Sequence, residues 1–204
     1  MIKAMNSNKF AQISIHSSVI LFGLSGIFGK WITLSPFIIV LGRVFFAAIV
    51  LYLASRILKI SLKVNSRKDL FALSLIGIVL SIHWVTFFQS IQISTVAIAT
   101  LTFSTFPIFT TFIEPYFFKE KIKLIDIIFA ALTAIGVAIM IPSLDLSNNF
   151  TQGVIYGMIA AITAAIMTVL NRKYVLNYHS VTVSIYQNIA ATLVLLPFLF
   201  IYFK

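Results

Sequence analysis

Long apolar stretches, separated by short polar or basic segments, fill almost all of the 204 residues. Seven can be drawn, at 11–34, 37–55, 70–91, 94–117, 122–141, 153–170 and 181–203. A helix needs roughly 20 mainly apolar residues to cross about 30 Å of hydrocarbon, and each stretch meets or approaches that length. None alternates apolar and polar positions as the strands of a lipid-embedded barrel do. Lipid also offers no partner to open backbone groups, so the stretches are predicted to be helices. The expected fold is all-α, a polytopic transmembrane bundle of about seven spans. The most polar, turn-like connection is 142–152, with Asp145, Asn148 and Asn149. It divides the chain into a five-helix unit, 1–141, and a two-helix unit, 153–204.

Composition agrees with a lipid solvent. The chain is 60% hydrophobic and only 10% charged, where soluble domains carry about 25% charged residues. The formal net charge of +10 would suggest nucleic acid in a soluble protein. Here the basic residues sit in the gaps between apolar stretches, so they report membrane topology instead, and no nucleic-acid partner is expected. With the N-terminus inside, Lys3, Lys9, Arg56, Lys59, Lys63, Arg67, Lys68, Lys119, Lys121, Lys123, Arg172 and Lys173 all fall on the inner side. Only Lys30 and Lys204 fall outside, and Arg43 lies within a span. Every loop then obeys the positive-inside rule, which predicts a multi-pass inner-membrane protein with a cytoplasmic N-terminus. The first stretch is too long for the core of a cleaved signal peptide and lacks a small-residue cleavage site after it.

Several chemistries lack their residues. The chain has no cysteine, hence no disulfide framework or thiol nucleophile. Three scattered histidines make a poor metal site. No Gly-rich phosphate loop and no nucleophile elbow occurs. No metal, no cofactor and no enzymatic activity are expected.

The first two spans resemble the last two at an offset of 143 to 144 positions. Lys30-Trp31 corresponds to Lys173-Tyr174, and Arg43 falls near Gln187. Phe45-Phe46-Ala47-Ala48-Ile49-Val50-Leu51 aligns with Ile189-Ala190-Ala191-Thr192-Leu193-Val194-Leu195. Two apolar helices can look alike for no deeper reason. Five spans separate the copies, however, so the second would start on the opposite side of the membrane. Inverted repeats of that kind characterise secondary transporters.

An ordered set of motifs runs through the first unit. The first span carries Phe22-Gly23-Leu24-Ser25-Gly26-Ile27-Phe28-Gly29-Lys30, followed by Pro36 and then Arg43 with Phe45-Phe46-Ala47-Ala48. The third gives His83-Trp84-Val85-Thr86-Phe87-Phe88-Gln89-Ser90-Ile91, and Ser94-Thr95-Val96-Ala97-Ile98-Ala99 opens the fourth. Pro107, Glu114-Pro115 and Phe118-Lys119-Glu120-Lys121-Ile122 precede a fifth span ending Ala134-Ile135-Gly136-Val137-Ala138. In this order and spacing the chain resembles the drug/metabolite transporter superfamily and, within it, the EamA-type transporters. The resemblance implies a five-helix unit present twice, with a path for a small metabolite or drug-like solute between the units and alternating access. Only two spans of a second unit are present, so the chain resembles a truncated member or a fragment of a longer product. A true seven-span chain would dimerise, recruit a partner that completes the repeat, or be inactive. A seven-span receptor and an intramembrane enzyme are the rival readings. The first places its N-terminus outside, and the second lacks converging catalytic groups.

Charged groups inside a membrane need a reason, because each costs a few kcal/mol or more near mid-bilayer. Arg43 is expected about 10 Å from the outer edge and His83 about 12 Å, at 1.5 Å per residue. Both are substrate-path candidates, Arg43 for an anionic group and His83 as a hydrogen-bond donor or proton relay. The plainer alternatives are snorkelling or helix-end capping for Arg43, and a neutral interhelical hydrogen bond for His83. Trp84 either lines the path or packs, Gln89 lies near the wetted interface, and Lys30 is close enough to the edge to snorkel. Glu114 is either a proton-coupling carboxylate or half of a local ion pair with Lys119 or Lys121. Pro107 is expected to kink the fourth span, whose Thr100, Thr102, Ser104, Thr105, Thr110 and Thr111 supply hydroxyls to the freed carbonyls. Small residues four apart, Ser25/Gly29, Gly77/Ser81, Ala130/Ala134/Ala138 and Gly157/Ala161/Ala165, are expected at close helix contacts.

Overall fold

The computed structural model describes residues 2–119, 121–140 and 145–202. Glu120, the 141–144 part of the connecting segment, Phe203 and Lys204 lie outside the described residues. Within them the chain forms helices α1 (Ile2–Trp31), α2 (Pro36–Ile57), α3 (Arg67–Ile93), α4 (Val96–Phe103), α5 (Phe106–Phe118), α6 (Leu124–Met140), α7 (Asn149–Tyr174) and α8 (Ser180–Tyr202). Six spans are long and apolar enough to cross a membrane, with α4 and α5 together making one of them. The helix α6 is apolar but shorter. The chain is therefore an all-helical, multi-pass membrane protein.

Local chemistry sets the helix starts. Pro36 enters α2 in its first turn, where its missing N–H costs nothing. The side chains of Ser66, Thr95 and Asn148 accept backbone N–H groups at the starts of α3, α4 and α7. The expected kink in the fourth span is a break. Pro107 cannot donate to the preceding turn, and the chain closes a tight turn with Thr105 N–H donating to the Thr102 carbonyl at 3.1 Å. The Ser104 and Thr105 hydroxyls donate to the Leu101 and Thr102 carbonyls at 2.6 and 2.7 Å, satisfying groups the break exposes.

The centre of the bundle is α3, packed along α7 and α8, while α8 also lies along α2. One core joins Val40 and Val44 of α2, Phe87, Phe88 and Ile91 of α3, Ala99 of α4, Ala160 of α7 and Ala191 and Leu195 of α8. A smaller one, toward the start of α3, joins Leu73, Ile76, Tyr174 and Val183. Two of the small-residue stripes sit at these contacts: Gly77 and Ser81 are buried on α3, and Gly157, Ala161 and Ala165 on α7. The α6 stripe does not follow the expectation. Ala130 is buried, but Ala134 and Ala138 are exposed because α6 packs mainly on α5 and a little on α4. The helix α1 is also peripheral, resting on α3 and α4.

The bundle has two polar ends. At one, which includes Lys30, the Lys30 ammonium donates to the carbonyls of Ile91, Gln92 and Ser94 at 2.7–3.0 Å. Beside it Gln92 donates to the Leu34 carbonyl at 2.8 Å. At the other, which includes Arg67, the loop after α7 is tied to the start of α3. The Tyr178 hydroxyl donates to the Asp69 carboxylate at 2.6 Å and accepts the Asn65 N–H at 3.3 Å. That bond to Asp69 is the main reason the phenol is held above its ordinary pKa. Glu114 of α5 and Arg172 of α7 form an ion pair at the same end.

Candidate functional site

A cleft of about 300 Å³ opens between α1 and α2 in the half of the bundle nearer Lys30. Its walls are Leu21, Leu24, Ser25, Phe28, Gly29 and Ile32 of α1, Ile39 and Arg43 of α2, and Phe88 of α3. All are apolar except Ser25 and Arg43. Both α1 and α2 pack on α3 rather than on each other, which keeps the cleft open.

Arg43 is held from two sides. One of its guanidinium nitrogens donates to the Ser25 hydroxyl at 2.8 Å. The guanidinium carbon lies 3.6 Å from the centre of the Trp84 ring, a cation–π geometry that gains strength where water is scarce. Trp84 is itself wedged among aromatic rings, with Phe22, Phe87 and Phe88 at centroid distances of 5.9, 5.9 and 6.0 Å. The indole therefore has little freedom, and the cation rests against it.

His83 is next to Trp84 in sequence, but its ring turns away from the cleft. Its Nδ1 lies 2.8 Å from the Ala160 carbonyl of α7. A carbonyl only accepts, so Nδ1 carries the proton and Nε2 is left as the acceptor. The side chain is 4% exposed, and its ring meets Trp84 edge-on at 4.8 Å. Arg43 and His83 thus share a neighbourhood, bridged by Trp84, without sharing a cavity.

The remaining candidates are dispersed. Lys30 caps the carbonyls that end α3. Gln89 is half-buried and has no hydrogen-bond partner among the described residues. Glu114 pairs with Arg172, 58 residues away, rather than with Lys119 or Lys121. Pro107 and the hydroxyls Ser104 and Thr111 do line a cavity, a second cleft of about 240 Å³ shared with Asp126 and Thr133 of α6. Asp126 is occupied there by the Lys123 N–H at 3.1 Å.

Two participants escaped sequence reasoning. Ser25 reads as a small packing residue, and only its position one span away from Arg43 makes it a partner. Phe22 reads as generic apolar surface, yet it anchors the indole. No group of acids and histidines suited to a metal ion occurs among the described residues.

Residues 9–141 match the model of the EamA-like transporter family. That is well over half of the chain, which belongs to this family. The protein named "Uncharacterized transporter YxxF" of Bacillus subtilis (strain 168) is 27% identical over 196 residues. The match covers 93% of this chain and 62% of that protein, so the chain spans less than two thirds of its relative's length. No solved structure matches the chain.

Proposed function

We propose that this EamA-family chain is a secondary transporter, or most of one, for a small metabolite or drug-like solute. Solute enters the α1–α2 cleft and is passed by alternating access between two inverted units, 1–141 and the incomplete 153–204. The observation that carries the reading is the cleft itself. It is apolar and open, and it holds one cation, Arg43, within the apolar helix α2 and against the Trp84 ring. A cation so placed is costly unless it serves a ligand or a water-filled path.

Three further observations support the mechanism. Basic loops favour a cytoplasmic N-terminus in the inner membrane, which makes the Lys30 end external and the cleft outward-open. At the cytoplasmic end the first five spans are bonded to the last two through Glu114–Arg172 and Asp69–Tyr178. Such bonds are suited to hold one gate shut while the other is open. A loose internal likeness supports the repeat: Arg43 of α2 bonds Ser25 of α1, and Gln187 of α8, near the position that matches Arg43, bonds Asn171 of α7 at 2.5 Å, two to three residues past the position that matches Ser25.

A second reading rests on the chain covering 62% of its relative. In it the two-helix unit is completed by further helices of a longer product or by a second copy. The intact mass of the native product separates these, since the sequence alone accounts for 22.8 kDa.

The absence of cysteine makes side-specific labelling direct. A single Leu24→Cys should react with a membrane-impermeant maleimide in both right-side-out and inverted vesicles. Reaction from one side only would overturn alternating access. Weakening the cytoplasmic contacts with Glu114→Gln and Tyr178→Phe should raise the inverted-vesicle rate about three-fold and lower the other. The part-exposed Glu114–Arg172 pair is worth roughly 1 kcal/mol or less, which is a factor of up to about five in a two-state balance.

A further inference from the structure

We infer that the α1–α2 cleft takes a small organic monoanion, a carboxylate on an apolar body, with Arg43 as its counter-ion. This rests on the transport reading and names the substrate class of the same site. Arg43 has no carboxylate partner among the described residues. Asp69 and Asp126 lie in the first turns of α3 and α6, at the far end of the bundle. Glu114 is paired with Arg172, and Asp145 is bonded to Ser147 in an exposed turn. A guanidinium carries five N–H donors, and the protein supplies one acceptor, Ser25.

Geometry narrows the ligand further. The guanidinium carbon sits 3.6 Å from the centre of the Trp84 ring and one N–H goes to Ser25, so donors remain for a carboxylate, which a guanidinium can take through two parallel hydrogen bonds. Apart from Ser25, whose hydroxyl is bonded to Arg43, the rest of the wall is apolar, with Leu21, Leu24, Phe28, Ile39 and Phe88 among it. It satisfies no second charge and no sugar hydroxyl, and burying either without a partner is unfavourable. At about 300 Å³ the cleft is of the size that takes a small ligand. A carboxylate of this kind comes either from a water-soluble metabolite or from a lipid-derived fatty acid.

Trp84 reports on the site. The other tryptophan, Trp31, lies exposed at the end of α1, so Trp31→Phe leaves Trp84 as the sole indole. Purified Trp31→Phe protein is titrated with phenylacetate, phenylacetamide and laurate while indole fluorescence is followed. Saturable binding of phenylacetate is expected, at least tenfold tighter than the neutral amide. Tighter binding of laurate than of phenylacetate, with the same dependence on Arg43, would assign the carboxylate to a lipid source. Arg43→Gln should abolish the acid response and Arg43→Lys should keep part of it, each checked for a monodisperse elution profile. Equal affinity for acid and amide, retention in Arg43→Gln, or no saturable response to either acid would overturn the inference. Should Arg43→Gln fail to fold, the acid–amide comparison still decides. The outcome is separable from the transport reading: two-sided labelling of Leu24→Cys without acid preference leaves transport standing and removes the anion.

Discussion

Gly77→Leu should leave little folded protein in the membrane. A Cβ at this position would lie 2.5 Å from the Gln187 carbonyl oxygen and 2.7 Å from the Ala190 Cβ. Both belong to the body of α8, so no side-chain rotation relieves the clash, and α3 and α8 would have to separate. In membranes, helix association draws on close packing because lipid is as apolar as the helices. Losing that approach therefore removes much of what joins α8 to α3. Overpacking of a well-fitted core costs about 1–3 kcal/mol and more when backbone is what must yield. A bundle of marginal stability tolerates little of that. The measurement is the monodisperse fraction of a fluorescent fusion on size-exclusion chromatography, expected to fall at least five-fold. Gly23→Leu is the matched control, since nothing lies within 4 Å of a Cβ there. Equal recovery of the two variants would mean that α3 and α8 are not held by this contact.

Hydropathy made the spans legible, and for a physical reason: the length of an apolar run is dictated by bilayer thickness, with no tertiary information needed. Boundaries suffered where polar residues extend a helix past its apolar part. The helix α7 runs from Asn149 to Tyr174 although the apolar run is 153–170. Its extra turns carry Asn149, Gln152, Arg172 and Lys173, which a wetted helix end accepts. Pro107 marked a disturbance, but whether it bends or breaks the helix depended on the hydroxyls at 104 and 105. The site was half legible. Arg43, His83 and Trp84 stand out because polar or amphipathic groups in an apolar run need a partner, but a partner on another helix leaves no mark in sequence. Thus Ser25 was invisible as a ligand of Arg43. For Glu114 the sequence offers a proton-coupling role or an ion pair with Lys119 or Lys121, whereas α5 ends beside α7 and offers it Arg172. His83 pointed to the same depth as Arg43, yet one residue's rotation on α3 sends its ring to the Ala160 carbonyl.

Lys30→Met should lower stability while sparing the chemistry of the cleft, the opposite of what Arg43 substitutions do. Helix α3 ends with carbonyls that no intrahelical N–H can reach. The Lys30 ammonium takes two of them, on Ile91 and Gln92, together with the carbonyl of the capping residue Ser94, and so ties the end of α1 to the end of α3. Positive charge is also favoured at a helix C-terminus. A hydrogen bond to a charged group contributes about 1.5–3 kcal/mol. Lys30 is exposed, and water replaces part of what is lost, so the net cost is expected at about 2 kcal/mol. For a chain of this size that is a fall of about 4–8 °C in the midpoint of thermal aggregation. Lys30→Arg keeps the charge and the donors and should recover most of it. The labelling of Leu24→Cys should be unchanged in Lys30→Met at temperatures where the bundle is intact. A Lys30→Met protein with wild-type stability and altered labelling would instead return Lys30 to the solute path, for which it is a candidate although it lies close enough to the edge to snorkel. The distinction turns on geometry: a cation with all three of its donors spent on carbonyls has none left for a ligand, and Arg43, one helix away, has four.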